Sequence, residues 1–211
     1  MCSDMQVWGD HGGEEMSSAG ISLFDLVIAG VGGQGTILAS DIIGKTAVRE
    51  GLPVMAAETH GMAQRGGSVV NHLRVGCEFG SLIPLKSADA LLALEPSEAL
   101  RYIEYLSDDG IVLVNTEPVL PVTVTSGLSS YPDVGEIIDY LEQRFTVKAF
   151  NAVKLAKEAG HVQSMNTVMV GAVSKYLPLS KDVLIECIRQ SVPKKTVDIN
   201  IKAFELGRLQ A

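Results

Sequence analysis

The run Gly30-Val31-Gly32-Gly33-Gln34-Gly35 has glycines at the spacing that lets bare backbone approach an anion. A strand-compatible apolar stretch, Phe24–Ala29, leads into it, and a helical pattern, TILASDIIGKTAVRE, follows from Thr36. One glycine permits the tight turn, one admits the ligand, and one lets helix and strand pack closely. The unpaired N–H groups opening the helix, at the positive end of its dipole, suit a phosphate or diphosphate. Gln34 and Thr36 can add side-chain hydrogen bonds. The other reading is a glycine-rich βα turn that holds nothing.

A second polar, glycine-rich stretch is Glu58-Thr59-His60-Gly61-Met62-Ala63-Gln64-Arg65-Gly66-Gly67-Ser68, between two strand patterns. Arg65 can pair in fork geometry with a phosphate or a substrate carboxylate, or form a salt bridge across a subunit interface. Gly66 and Gly67 let this loop pass close to a ligand or partner. Glu58 stands near the place, about 20 residues past the glycines, where nicotinamide-binding folds keep a ribose-binding acid. Its alternative is a loop carboxylate paired with Arg65. His60 and Gln64 either assist proton transfer or orient the loop. Asn166, just inside a helix start, reads as a cap or interface residue.

These stretches need a scaffold, and the apolar pattern describes one. Strands are expected over Phe24–Ala29, Val54–Glu58, Ser68–Val75, Asp89–Leu94, Ile111–Asn115, Val122–Thr125 and Thr146–Ala149. Helices are expected from Thr36, from Pro96 to about Leu106, and over Val134–Arg144, Asn151–Ala159, Met165–Leu177 and Lys181–Gln190. Asp108-Asp109-Gly110 reads as a turn. In Ser68–Val75, Val70, His72 and Arg74 share one face, and Val69, Asn71, Leu73 and Val75 the other. Strands alternating with helices predict an α/β fold: one Rossmann-like domain over 23–211, its mostly parallel sheet covered by helices on both faces. Residues 1–22 contain four acidic residues and no Lys or Arg, with Gly and Ser in plenty and one Trp, Trp8. They are expected to form a poorly ordered tail.

The composition narrows the chemistry. The 211 residues are 46% hydrophobic and 20% charged, as in globular domains, and the formal net charge is −8. No basic run suggests nucleic acid, and no apolar stretch is long enough for a membrane span. A basic-then-apolar leader pattern is also missing, so a reducing cytoplasm is the expected location. Cys2, Cys77 and Cys187 are too scattered for a disulfide framework or an iron–sulfur cluster. The four histidines, His11, His60, His72 and His161, lack metal-ligand spacing. Neither G-x-x-x-x-G-K-[ST] nor G-x-S-x-G occurs. A nicotinamide dehydrogenase remains open, although the chain leaves little room for a separate substrate domain.

GVGGQG before a helix, AETHGMAQRGGSVVNHLRVG, LALEPSEALR and NTVMVGAV together resemble the gamma-domain family of the 2-oxoacid:ferredoxin oxidoreductases. The likeness is closest to the beta-subunit branch of the indolepyruvate ferredoxin oxidoreductases. It runs from about Phe24 to Leu177 and beyond, and HGMAQRGGSV is its most specific segment. The resemblance implies an alpha subunit carrying thiamine diphosphate, magnesium and 4Fe-4S clusters, with ferredoxin as electron acceptor. It also implies CoA-dependent oxidative decarboxylation of aryl 2-oxo acids. This chain would complete the site without catalysing redox chemistry alone, with coenzyme A as ligand of the glycine turn. The expected site residues are Gly30, Gly32, Gly33, Gln34, Gly35, Thr36, Glu58, Arg65, Gly66, Gly67 and Ser68. Three alternatives stand beside this: a gamma subunit for another 2-oxo acid such as pyruvate or ketoisovalerate, a stand-alone nucleotide-binding oxidoreductase, and a purely structural partner. Isolated chains are expected to pair as homodimers through the surface meant for the alpha subunit.

Overall fold

A computed structural model describes residues 23–60 and 67–211. The tail, with Trp8, and the loop residues Gln64, Arg65 and Gly66 lie outside the described residues. Six strands form one sheet: β1 (Phe24–Val31), β2 (Val54–His60), β3 (Ser68–Val75), β4 (Ala88–Ala93), β5 (Leu106–Asn115) and β6 (Thr146–Phe150), in the order β2-β3-β1-β4-β5-β6. The pairs β1–β4, β4–β5 and β5–β6 are parallel, whereas β3 runs against both β1 and β2. The sheet is therefore mostly parallel in direction, with one reversed strand inserted beside β1.

Helices cover both faces, as the near-continuous apolar runs of β1 and β4 require. On one side lie α1 (Thr36–Arg49), α5 (Ala152–Ala159), α6 (Met165–Val173), α7 (Lys181–Ser191) and α8 (Val197–Arg208), packed over Leu26, Ile28, Leu73, Leu92 and Leu113. On the other lie α2 (Pro96–Tyr102) and α4 (Val134–Glu142), packed over Val27, Val70, Leu91 and Val112. The two faces of β3 are those its alternation predicts. Asp25, buried in β1, is held by Arg74 of β3 through Nε at 2.9 Å and Nη2 at 3.1 Å. His72, also buried, accepts from the Ile83 N–H, and burial pushes its pKa below the usual histidine value despite Asp25 nearby.

Several expectations need correction. Val122–Thr125 is a short helix, α3, rather than a strand. The edge beside β5 is already taken by β6, so these β-branched residues find no ladder, and Pro121 sets a helical start. The helix from Pro96 ends at Tyr102, followed by a 3-10 turn over Ile103–Tyr105. Leu106 then opens β5, and Asp108-Asp109-Gly110 lies inside that strand, where the register to β4 shifts between Ala88 and Ala90. The strand reaches past the acidic pair because Leu106 is buried and anchors the bulge.

The C-terminal helix α8 was not expected from the sequence. It meets α6 at two glycines: a Cβ on Gly171 would lie 2.0 Å from the Phe204 carbonyl oxygen, and one on Gly207 would lie 1.9 Å from that of Val168. The two helix backbones thus touch where no side chain fits. Gly171→Ala must push them apart, and overpacking of this kind costs about 1–3 kcal/mol or more. We expect a matching loss in unfolding free energy by urea titration; a variant as stable as the parent would contradict this packing.

Candidate functional site

The carboxyl ends of β1, β4, β5 and β6 and the start of β3 share one edge of the sheet. The two glycine-rich stretches meet there. They follow β1 and β2, which are not neighbours in the sheet because β3 lies between them. Its reversed direction is what brings them together: Val31 pairs with Ser68, and the Gly32 N–H donates to the Gly67 carbonyl at 2.9 Å.

Within the turn, the glycines divide the work. Gly30 is the last small step of β1, where a Cβ would crowd the Gln34 amide oxygen at 2.9 Å and Thr36 Cγ2 at 2.9 Å. Gly33 has φ +104, and nothing lies within 4 Å of where its Cβ would be. Gly35, at φ +83, caps α1 without any side-chain cap. A Cβ there would meet Asn166 Nδ2 at 2.4 Å, and that amide donates to the Gly35 carbonyl at 3.3 Å. Asn166 thus holds the turn against the start of α6. Thr36 is buried against Gly30.

Gln34 acts inside the protein. Its Oε1 accepts from the Val31 N–H at 2.8 Å, and its Nε2 donates to the Leu94 carbonyl at 3.1 Å. Asn115, fully buried at the end of β5, donates to the same carbonyl at 3.0 Å, and its Oδ1 accepts from the N–H groups of Ala152 and Glu117. One carbonyl thereby ties the ends of β1, β4, β5 and the start of α5. With the Val31, Gly32 and Gln34 N–H groups all occupied, the amides of Gly33, Gly35 and Thr36 have no partner among the described residues. They stand at the N-terminus of the 14-residue helix α1.

Ser68 turns toward α2 and is engaged there by Glu98 and Tyr102. Glu58 stands within β2 and lines a cavity of about 900 Å3 that runs between α1 and the edge strand. Gly35, Ser40, Val54, Ala56 and Leu73 also line it, so both glycine-rich stretches border this largely apolar groove. Arg65 and Gly66 lie outside the described residues, so the structure does not place them.

One carboxylate of the edge was not picked out from the sequence. Glu95, 0% exposed, caps α2: its Oε2 accepts from the Ser97 N–H at 2.7 Å and the Glu98 N–H at 3.2 Å. Its Oε1 accepts from the Val119 N–H and the Tyr131 hydroxyl. Burial, with Glu95 adjacent, pushes the Tyr131 pKa above the ordinary tyrosine range. The signal available for Glu95 was the Glu-Pro pair opening a helix.

The family whose profile covers residues 25–210 is pyruvate ferredoxin/flavodoxin oxidoreductase. The chain belongs to this family. Relatives include the indolepyruvate oxidoreductase subunits IorB of Thermococcus kodakarensis and Pyrococcus horikoshii, each 46% identical over 189 residues, covering 87% of this chain and 94% of theirs. A 2-oxoglutarate synthase subunit KorC of Methanothermobacter marburgensis is 31% identical over the same share of both chains. Among solved structures, the gamma subunit of a keto/oxoacid ferredoxin oxidoreductase from Geobacter sulfurreducens superposes with a TM-score of 0.67 at 25% identity, covering 89% of this chain and 98% of that one. A 2-oxoglutarate:ferredoxin oxidoreductase from Magnetococcus marinus, solved with 2-oxoglutarate, coenzyme A and succinyl-CoA, has a TM-score of 0.70 at 21% identity. It shares the fold over 90% of this chain but only 31% of its own.

Gln34→Leu should leave the Val31 N–H and the Leu94 carbonyl each one bond short, at a cost of about 1–3 kcal/mol. We expect a lowered unfolding midpoint and faster hydrogen exchange at Val31. Unchanged exchange there would mean that the amide does not hold the turn.

Proposed function

We propose that this chain is the beta subunit of an indolepyruvate (arylpyruvate):ferredoxin oxidoreductase and that its glycine turn binds the diphosphate of coenzyme A. The observation that carries the substrate class is the 46% identity to indolepyruvate oxidoreductase subunits across nearly their whole length, against 31% for a 2-oxoglutarate synthase subunit. The likeness to an oxidoreductase solved with coenzyme A supports the ligand. So do the amides of Gly33, Gly35 and Thr36 at the head of α1, which have no partner among the described residues.

In this reading a partner alpha subunit supplies thiamine diphosphate with magnesium and the iron–sulfur clusters, and ferredoxin takes the electrons from the complex. The thiamine group would carry out the decarboxylation when bound there. No cluster of three or more His, Cys, Asp or Glu able to hold a metal occurs among the described residues, and Cys77 and Cys187 are free. This chain's part is to bind and orient the anionic end of the acyl acceptor. The glycine turn, held to the start of β3 by the Gly32–Gly67 bond, provides that surface, and the Gly33 backbone can be approached without displacing a side chain.

The test is the complex itself. Co-expressed with its alpha subunit, the chain should support CoA-dependent reduction of ferredoxin by indolepyruvate faster than by 2-oxoglutarate or pyruvate; the reverse preference would overturn the substrate class. Gly33→Val should raise the KM for CoA about tenfold or more while the complex still assembles on size exclusion, since the branched side chain fills the approach and is strained at φ +104. An unchanged KM would remove the turn from CoA binding.

A further inference from the structure

Ser68 is the residue at which the two faces of the site edge communicate. It opens β3, is the last register partner of Val31, and directly follows Gly67, whose carbonyl holds the Gly32 N–H. Its hydroxyl does not face the glycine turn. It donates to Glu98 Oε2 on α2 and, its one proton being used there, accepts from the Tyr102 hydroxyl at 2.9 Å. Glu98 is 4% exposed and is itself held: Arg101 Nε donates to its Oε1 at 3.3 Å, and its backbone N–H donates to buried Glu95. A side-chain chain therefore runs from the first turn of α2 to the end of the β1–β3 ladder.

We infer that Glu98 and Tyr102 are positioning residues for the glycine turn, acting through Ser68 and the Gly67 carbonyl on the Gly32 amide. Both side chains act on Ser68, not on the amides of Gly33, Gly35 and Thr36. What they fix is the end of β3. An antiparallel ladder frays at its last pair unless something beyond the backbone holds it, and Gly66-Gly67 supplies no side chain of its own to do so. With Ser68 clamped, the Gly67 carbonyl stays in place, the Gly32 N–H is occupied, and the turn presents its free amides in one arrangement. A preorganised set of donors binds an anion more tightly than one that must be ordered on binding. The inference rests on the glycine turn being the CoA-diphosphate site for its ligand, and on the hydrogen bonds alone for the latch.

Ser68→Ala, Ser68→Thr and Tyr102→Phe in the assembled complex separate these parts. Losing one such hydrogen bond should raise the KM for CoA about fivefold in Ser68→Ala and about threefold in Tyr102→Phe. The kcat at saturating CoA should stay within about twofold, and Ser68→Thr, which keeps the hydroxyl, should restore the KM. Hydrogen exchange at the Gly32 amide should quicken in Ser68→Ala and Tyr102→Phe alike. If Gly32 exchanges as slowly as in the parent in both variants, the latch is overturned. If Gly32 exchange quickens while the KM for CoA stays constant, the latch stands and the assignment of CoA to the turn falls. A drop in kcat at unchanged KM would also overturn the positioning role. Tyr102→Phe keeps the ring and decides the matter should Ser68→Ala fail to fold.

Discussion

The carbonyl of Leu94 is the point from which the rest of the site is built. Two side-chain amides, from Gln34 and Asn115, end on it. Because β1, β4 and β5 are parallel neighbours, their chains would otherwise leave the sheet edge independently. With both amides on one acceptor, the exits are held in register, and Asn115 passes the constraint on to the first turn of α5 through the Ala152 N–H. Gln34 and Asn115 are each engaged at both the nitrogen and the oxygen of the amide, which is the condition under which a polar network stiffens a fold rather than weakening it. Gln34 fills the turn with its own side chain and so decides which N–H groups remain open.

That constraint explains why the glycine turn can be at once rigid and bare. Val31, Gly32 and Gln34 donate within the protein, whereas Gly33 and Gly35 adopt positive φ and the amides of Gly33, Gly35 and Thr36 have no partner among the described residues. The carboxylates nearby do not oppose an anion as freely as their number suggests. Glu95 is consumed by the α2 cap and the Tyr131 hydroxyl, and Glu98 by Ser68 and Arg101. Among the described residues five helices weigh on one face of the sheet and two on the other, with the Gly171–Phe204 and Gly207–Val168 contacts locking α6 to α8. The start of α6 in turn reaches the glycine turn through Asn166. Stability of the helical layer and the shape of the site are therefore one problem.

Much of this was legible in the chain. The apolar runs of β1, β3 and β4 and the glycine spacing announced the fold, and period-2 alternation assigned the faces of β3 correctly. Direction was not legible: Ser68–Val75 reads equally well either way, and only pairing with both β1 and β2 makes it the reversed strand. Val122–Thr125 looked like a strand because its residues favour one, yet a strand needs an open neighbour. Gln34 and Asn115 escaped as structural residues because their shared partner, the Leu94 carbonyl, is a backbone group 60 and 21 positions away, which no local pattern encodes, and Glu95 escaped because its side-chain partner Tyr131 is 36 positions away. Family resemblance rested chiefly on HGMAQRGGSV, most of which lies outside the described residues, whereas the profile match over 25–210 stands on the whole body of the domain.

The account stands on open amides at the head of α1 gripping an anionic ligand. Hydrogen–deuterium exchange of the assembled complex, with and without coenzyme A, addresses this directly. Protection concentrated in residues 30–38 on adding coenzyme A is the predicted result. Protection elsewhere in this chain, with 30–38 unmoved, would contradict it.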